Sequence, residues 1–292
     1  MDGGRFDVCP CTGHIAAVRT LVALRRSFNS PPAAFPPADA ERHGAIVLVH
    51  GAWVGEWCWS PLLPRLRRSQ RPVHAVTLRG HGARRHESGP DITLTDHVDD
   101  LVGLVETHDL RDITLVGHSY GGRVVTRSLD RLAERLVAVV FVDAHAPIGG
   151  DDTMDPTRAT AHDVDERGMI PFGEFEPDPV EFGGPESVAW FLRRTMPQSA
   201  KTLDEPFRTA LSPDLDLTYV HATRDSGSRF AGYAAAARAD PAWHYVELPG
   251  SHWLMVSHPR ELATIIVDAA QRCDDRQRDI RTRDSRRKAN RP

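Results

Sequence analysis

The stretch Gly117-His118-Ser119-Tyr120-Gly121 constrains this chain more than any other. It follows the apolar, β-branched run Ile113-Thr114-Leu115-Val116 and precedes a helical pattern through Val124, Val125 and Leu129. A strand that ends in Gly-x-Ser-x-Gly and turns straight into a helix presents the serine at the apex of a sharp turn, a nucleophile elbow. The glycines there are steric: positions two before and two after the serine must lack side chains for strand and helix to approach. A glycine-rich connection without chemistry would use the same letters, so the neighbouring motifs decide.

Short β-branched runs at 45–49, 73–78, 113–116, 136–142, 217–222 and 244–248 alternate with helical patterns. That alternation predicts an α/β fold with a mostly parallel central sheet flanked by helices on both faces. Val98, Leu101, Val102 and Val105 repeat at helical spacing behind a candidate cap at Thr95, and Leu262, Ile265, Ile266 and Ala269 do so after Pro259. At 292 residues and 40% hydrophobic content, the chain can bury one large core. The reading divides it into an N-terminal extension at 1–44, a domain at 45–271 and a basic, disordered tail at 272–292.

From 143 to 213 the alternation breaks: nine of the chain's 22 prolines fall there, with a helix expected at about 186–194. An insertion of that length between strands of a parallel sheet usually lies over their carboxyl ends, which predicts a helical cap at about 144–215. Phe182, Trp190, Phe191 and Met196 are its candidates for lining an apolar cavity, although packing of the cap onto the body would use the same side chains.

Charge excludes some functions. The net charge is −4, and residues 272–292 carry nine Lys/Arg against four Asp, leaving the remainder at −9, which gives no basis for nucleic-acid binding. No apolar run is long enough for a bilayer span, so no membrane role is expected. Four scattered cysteines, Cys9, Cys11, Cys58 and Cys273, make no disulfide framework and fit a cytoplasmic setting. The 15 histidines contain no His-Glu-x-x-His pattern, and no metal or cofactor is expected. Arg25-Arg26 precedes Asn29-Ser30-Pro31-Pro32 and no apolar segment, which argues against export; 15–26 could form a short helix before a proline-rich linker.

A serine hydroxyl needs a base within hydrogen-bond reach and a group that orients the base. The elbow predicts the chain order Ser, acid, His. His252, after the last strand and a Pro249-Gly250 turn, is preferred over His244 inside a strand and His258 at a helix start. Asp225, just past the strand at 217–222, is the preferred acid, and Asp143, ending the strand at 136–142, is the alternative. Backbone amides of Ala52 and Tyr120 are the candidate oxyanion donors, with Gly51 allowing close approach.

The segments His50-Gly51-Ala52-Trp53-Val54-Gly55-Glu56-Trp57-Cys58-Trp59, Leu78-Arg79-Gly80-His81-Gly82 and Val116-Gly117-His118-Ser119-Tyr120-Gly121-Gly122, with the Asp225/His252 spacing, resemble the α/β-hydrolase superfamily. More narrowly, they are similar to its bacterial esterases related to plant methyl esterases and hydroxynitrile lyases. The resemblance spans about 45–270 and implies a triad of Ser119, Asp225 and His252. The lyases carry Thr at the position of Gly51 and Lys at that of Trp253, so their electrostatic support for cyanide release is missing and an esterase is preferred. Epoxide hydrolases and dehalogenases of the superfamily use Asp at the elbow, against Ser119. The expected reaction is cleavage of a small-molecule carboxylic ester, with Trp53, Trp190, Phe191 and Trp253 as substrate-binding candidates; a dedicated lyase, cyclase or acyl transferase, or a slow-turnover binding protein, is the alternative.

Overall fold

A computed structural model describes residues 44–148, 164–173, 176–205, 211–212, 214–225 and 230–289. The 15–26 helix, the proline-rich linker, Cys9 and Cys11 lie outside them. Strands β1 (Ile46–Val49), β2 (Val73–Ala75), β3 (Ile113–His118), β4 (Leu136–Val142), β7 (Asp216–Ala222) and β8 (Trp243–Leu248) form one parallel sheet in the order β2-β1-β3-β4-β7-β8. A parallel sheet covered on both faces has continuous apolar strands, and every residue of β1 is buried. Val47 and Val49 face one core cluster while Ile46 and Leu48 face the other. Burying each such side chain stabilises by about 1.5–3 kcal/mol.

In chain order the helices are α1 (Leu63–Leu66), α2 (Leu94–Thr107), α3 (Gly121–Leu132), α4 (Pro185–Leu192), α5 (Lys201–Asp204), α6 (Ala231–Ala239), α7 (Leu254–Ser257) and α8 (Pro259–Ala289). Helices α2, α3 and α6 cover the face of Val47 and Val49 through Val98, Leu101, Val124, Leu129, Ala234 and Ala237. Leu66 of α1 and Leu262, Ile266 and Ala269 of α8 cover the other.

The cap of α2 is Thr93, two residues ahead of the expected Thr95. Thr93 has an acid three positions on: its hydroxyl accepts from Asp96 N–H at 3.2 Å and its N–H donates to Asp96 Oδ2 at 2.9 Å. Thr95 has Val98 at that spacing and instead donates its hydroxyl to Glu205 at 2.7 Å.

The C-terminal segment also differs from expectation, since α8 continues through the tail to Ala289. Cys273 is buried in the core, and Arg272 and Arg276, one helical turn apart, both pair with Asp216 at the start of β7, at 2.6 and 3.1 Å. These contacts hold the helix past the point where its sequence becomes basic.

Between β4 and β7 the described residues form the cap: strands β5 (Met169–Ile170) and β6 (Gln198–Ser199), paired antiparallel, with α4 and α5. The buried Arg123 of α3 anchors it, donating to the carbonyls of Leu203 and Glu205 at 2.8 and 2.6 Å. Strand order reverses direction between β1 and β3, since β2 lies beyond β1 on one side and β4 beyond β3 on the other. Ligand crevices in such sheets open at the carboxyl ends of the strands at that switch.

Candidate active site

Three central strands are each followed by a non-glycine residue with left-handed backbone: Trp53 four residues past β1 (φ 64°), Ser119 directly after β3 (φ 54°) and Asp143 directly after β4 (φ 39°). That conformation is costly for a side chain with a Cβ and clusters at functional sites. At Ser119 it produces the elbow between β3 and α3, with Ser119 N–H donating to the Val142 carbonyl and its carbonyl accepting from Gly122 N–H. The approach is close: a Cβ on Gly121 would sit 2.6 Å from the carbonyl oxygens of Val49 and His50.

His252 lies between β8 and α7 and is fully buried. Its Nδ1–H donates to Asp143 Oδ2 at 2.7 Å, which leaves the Nε2 lone pair as the basic site. Its ring stacks on Phe230 at 5.1 Å with 2° between planes. His118, one residue before Ser119, donates from Nε2 to the His252 carbonyl at 3.0 Å, and the two rings lie 4.5 Å apart.

Among the described residues the carboxylate on His252 is that of Asp143, the alternative acid of the sequence reading, where Asp225 was preferred. Asp225 ends the short turn Thr223–Asp225 after β7, and its side chain lies outside the described residues. Strand β4 adjoins β3, so the end of β4 lies beside Ser119, and the left-handed turn at Asp143 aims its carboxyl across to the histidine loop. Tyr219, missed by the sequence reading, fixes this turn: its hydroxyl accepts from Ala144 N–H at 3.2 Å and donates to the Ala144 carbonyl at 2.9 Å. Burial pushes the Asp143 carboxyl up to about 7, against the Ala222 amide and His221, which favour its charged form.

The loop after β1 meets Ser119 from the other side. A Cβ on Gly51 would lie 3.0 Å from Ser119 Cβ, so glycine permits that contact. Leu78 N–H donates to His50 Nε2 at 3.3 Å, so His50 carries its proton on Nδ1 and donates it to the Gly51 carbonyl at 2.8 Å. In a planar trans peptide the N–H points opposite to the C=O, so this bond turns Ala52 N–H away from His50. Tyr120 N–H stands at the amino end of α3, where helix amides have no intrahelical partner. Its ring is fixed by a 2.8 Å bond from the hydroxyl to His97 Nδ1.

Trp53, Phe191 and Trp253 are buried and join with Phe172 in one aromatic cluster: Trp53 and Phe172 centroids are 6.0 Å apart, Phe172 and Trp253 6.3 Å, Phe191 and Trp253 4.7 Å. Phe172, in a proline-flanked cap segment, gave no sequence signal. Trp190 reaches this cluster through Trp57, which lies 5.4 Å from it and 5.3 Å from Phe191. It is 41% exposed, with its ring on Trp57 and the Arg194 guanidinium 3.9 Å above it, because consecutive helical residues point about 100° apart and Phe191 takes the inward face. Phe182 packs on Phe191 at 5.2 Å, and Met196 N–H donates to the Trp53 carbonyl, docking the cap on the β1 loop.

Three buried histidines around this site, His50, His97 and His118, are held neutral. Burial lowers His50 and His118 well below the usual imidazole range, with nearby His81 and His252 respectively adding to it, and lowers His97 to about 3. The unfolded chain binds these protons near pH 6.5 and the folded chain does not, so stability falls as pH drops below about 6.5. Each such group steepens the fall by about 1.4 kcal/mol per pH unit within its window. Asp143 works in the opposite sense between about 4 and 7, one group against several. Urea unfolding at pH 8 and pH 5 is expected to show the lower midpoint at pH 5; equal midpoints would mean the histidines take up protons in the folded state.

Known proteins resemble this chain over most of its length. The profile of the alpha/beta hydrolase family matches residues 46–265. A carbendazim hydrolyzing esterase of Nocardioides sp. (strain SG-4G) is 35% identical over 232 residues, covering 75% of this chain and 96% of that protein. Norfluorocurarine synthase 2 of Strychnos nux-vomica is 28% identical over 271 residues, covering 80% and 98%. Among solved structures, an extracellular alpha/beta-hydrolase from a Paenibacillus species superposes with a TM-score of 0.62 at 21% identity, over 77% of this chain and 98% of that one. Among the described residues no helix is long and apolar enough to cross a membrane. With its parallel sheet, its elbow at Ser119 and this match over most of its length, the chain belongs to the alpha/beta hydrolase family.

Proposed function

We propose that the protein is a serine esterase that cleaves a carboxylic ester of a small or medium apolar substrate through an acyl-enzyme. The observation that carries this reading is the buried 2.7 Å bond between His252 and Asp143 beside the strained turn at Ser119. Ser119 Oγ attacks the ester carbonyl while His252 Nε2 takes its proton, and Asp143 holds the imidazole in the required tautomer and stabilises the imidazolium. Ala52 and Tyr120 N–H groups donate to the tetrahedral oxyanion, each such donor lowering the barrier by about 3 kcal/mol. His252 returns the proton to the leaving alcohol, then activates water to release the acid.

The aromatic cluster of Trp53, Phe172, Phe191 and Trp253 supports an apolar acyl or aryl group. The similarity to an enzyme named for carbendazim hydrolysis supports ester-type chemistry, and that to a named synthase supports a dedicated biosynthetic conversion as the second reading. A p-nitrophenyl ester series from acetyl to long acyl separates them. Turnover of about 1 s⁻¹ or more with an optimum at short to medium chains is expected. Absence of turnover across the series from folded protein would overturn the esterase reading in favour of the second.

A further inference from the structure

The loop that carries His252 is gripped by a carboxylate from the cap. Glu181, 10% exposed at its side chain, accepts from Ser251 N–H with both oxygens, at 3.1 and 3.3 Å, and from the Ser251 hydroxyl. It also pairs with Arg224 at 2.9 Å; Arg224 pairs with Asp178, and its N–H donates to the Gly250 carbonyl at 3.1 Å. The cap, the segment after β7 and the histidine loop therefore meet at one carboxylate. Phe182, the next cap residue, packs through Phe191 onto Trp253. Residues 181 and 182 thus reach both neighbours of His252, and His118 holds the His252 carbonyl from below.

From this geometry we infer that Glu181 is a positioning residue for the base: it fixes Ser251, and through it the reach of the His252 ring toward Ser119, so that the base is aligned only while the cap is seated. This rests on the reading of His252 as the base. Glu181, itself mostly buried although its Arg224 partner is 49% exposed, satisfies an amide, a hydroxyl and a guanidinium together and so holds the loop in one geometry. Small misplacements of a catalytic group cost rate steeply, up to about 100-fold for about 1 Å.

The test compares wild type, Glu181→Ala and Glu181→Gln in ester hydrolysis, with thermal unfolding and ¹⁵N NMR of the histidine rings. Glu181→Ala is expected to lower kcat by about tenfold with KM within about threefold, and to broaden or shift the His252 Nδ1–H signal. Glu181→Gln, which keeps an acceptor for Ser251, is expected to recover most of that kcat. An unchanged kcat and His252 signal in a folded Glu181→Ala protein overturns the inference. So does a glutamine variant as slow as the alanine one, since loss of the Arg224 charge pair alone would then explain the effect. If wild type turns over no ester, the esterase reading fails separately, and the NMR signal still decides whether Glu181 holds His252.

Discussion

Replacing Ser119 by alanine is expected to lower kcat/KM for p-nitrophenyl esters by about 10⁴-fold or more while leaving the fold intact. Alanine removes only Oγ, and the left-handed backbone at this position is imposed by β3 and α3, so the turn should survive. On the proposed mechanism, what remains is transition-state binding by the Ala52 and Tyr120 amides, which in triad hydrolases still accelerates by about 10³–10⁴ over water. The variant should therefore keep its unfolding midpoint within a few degrees and bind substrate analogues normally. Retained turnover would remove Ser119 from the chemistry, and with it the purpose of the strain at that turn.

The centre of the sheet was legible in the sequence because β1, β3 and β4 are buried on both faces and read as largely apolar runs between turn signals, while β2 and β8 at the edges are only partly buried. Residues 136–142 match β4 in full, and the edges of β1, β3, β7 and β8 fall within two residues. β2 stops at Ala75 instead of 78 because its one partner, β1, ends one residue past the Leu48 that pairs with Ala75. Strand length is a property of the pair, and a single run of letters cannot show it. The elbow and the loop after β1 were legible for a different reason, since each carries local glycine chemistry. The contacts Glu181–Ser251, Tyr219–Ala144, Phe172–Trp253 and His118–His252 join residues 70 or more positions apart, and no local pattern marks them.

Asp143 and Asp225 compete for the role of the acid, and substitution separates them. Asp225 follows the strand next to the histidine-bearing unit, so spacing favours it, whereas Asp143 directly follows β4, adjacent to β3 and Ser119, and among the described residues is the carboxylate 2.7 Å from His252 Nδ1. Asp143→Asn keeps the volume but presents an amide, which can donate to Nδ1 and move the imidazole proton to Nε2, where it blocks the base. A drop of about 10⁴-fold in kcat is expected, as for the equivalent change in other triads. Asp225→Asn is expected to stay within about tenfold of wild type. Both variants should be assayed at pH 8, where Asp143, although pushed up to about 7 by burial, is ionised in the wild type. The reverse ranking would return the orienting role to Asp225 and leave Asp143 as the residue that caps the Ala222 amide. The predicted ranking would mean that the cap emerges directly from the acid-bearing turn, since the insertion begins where Asp143 follows β4. In that case changes in the first residues of the cap should alter the alignment of the base as well as the substrates admitted.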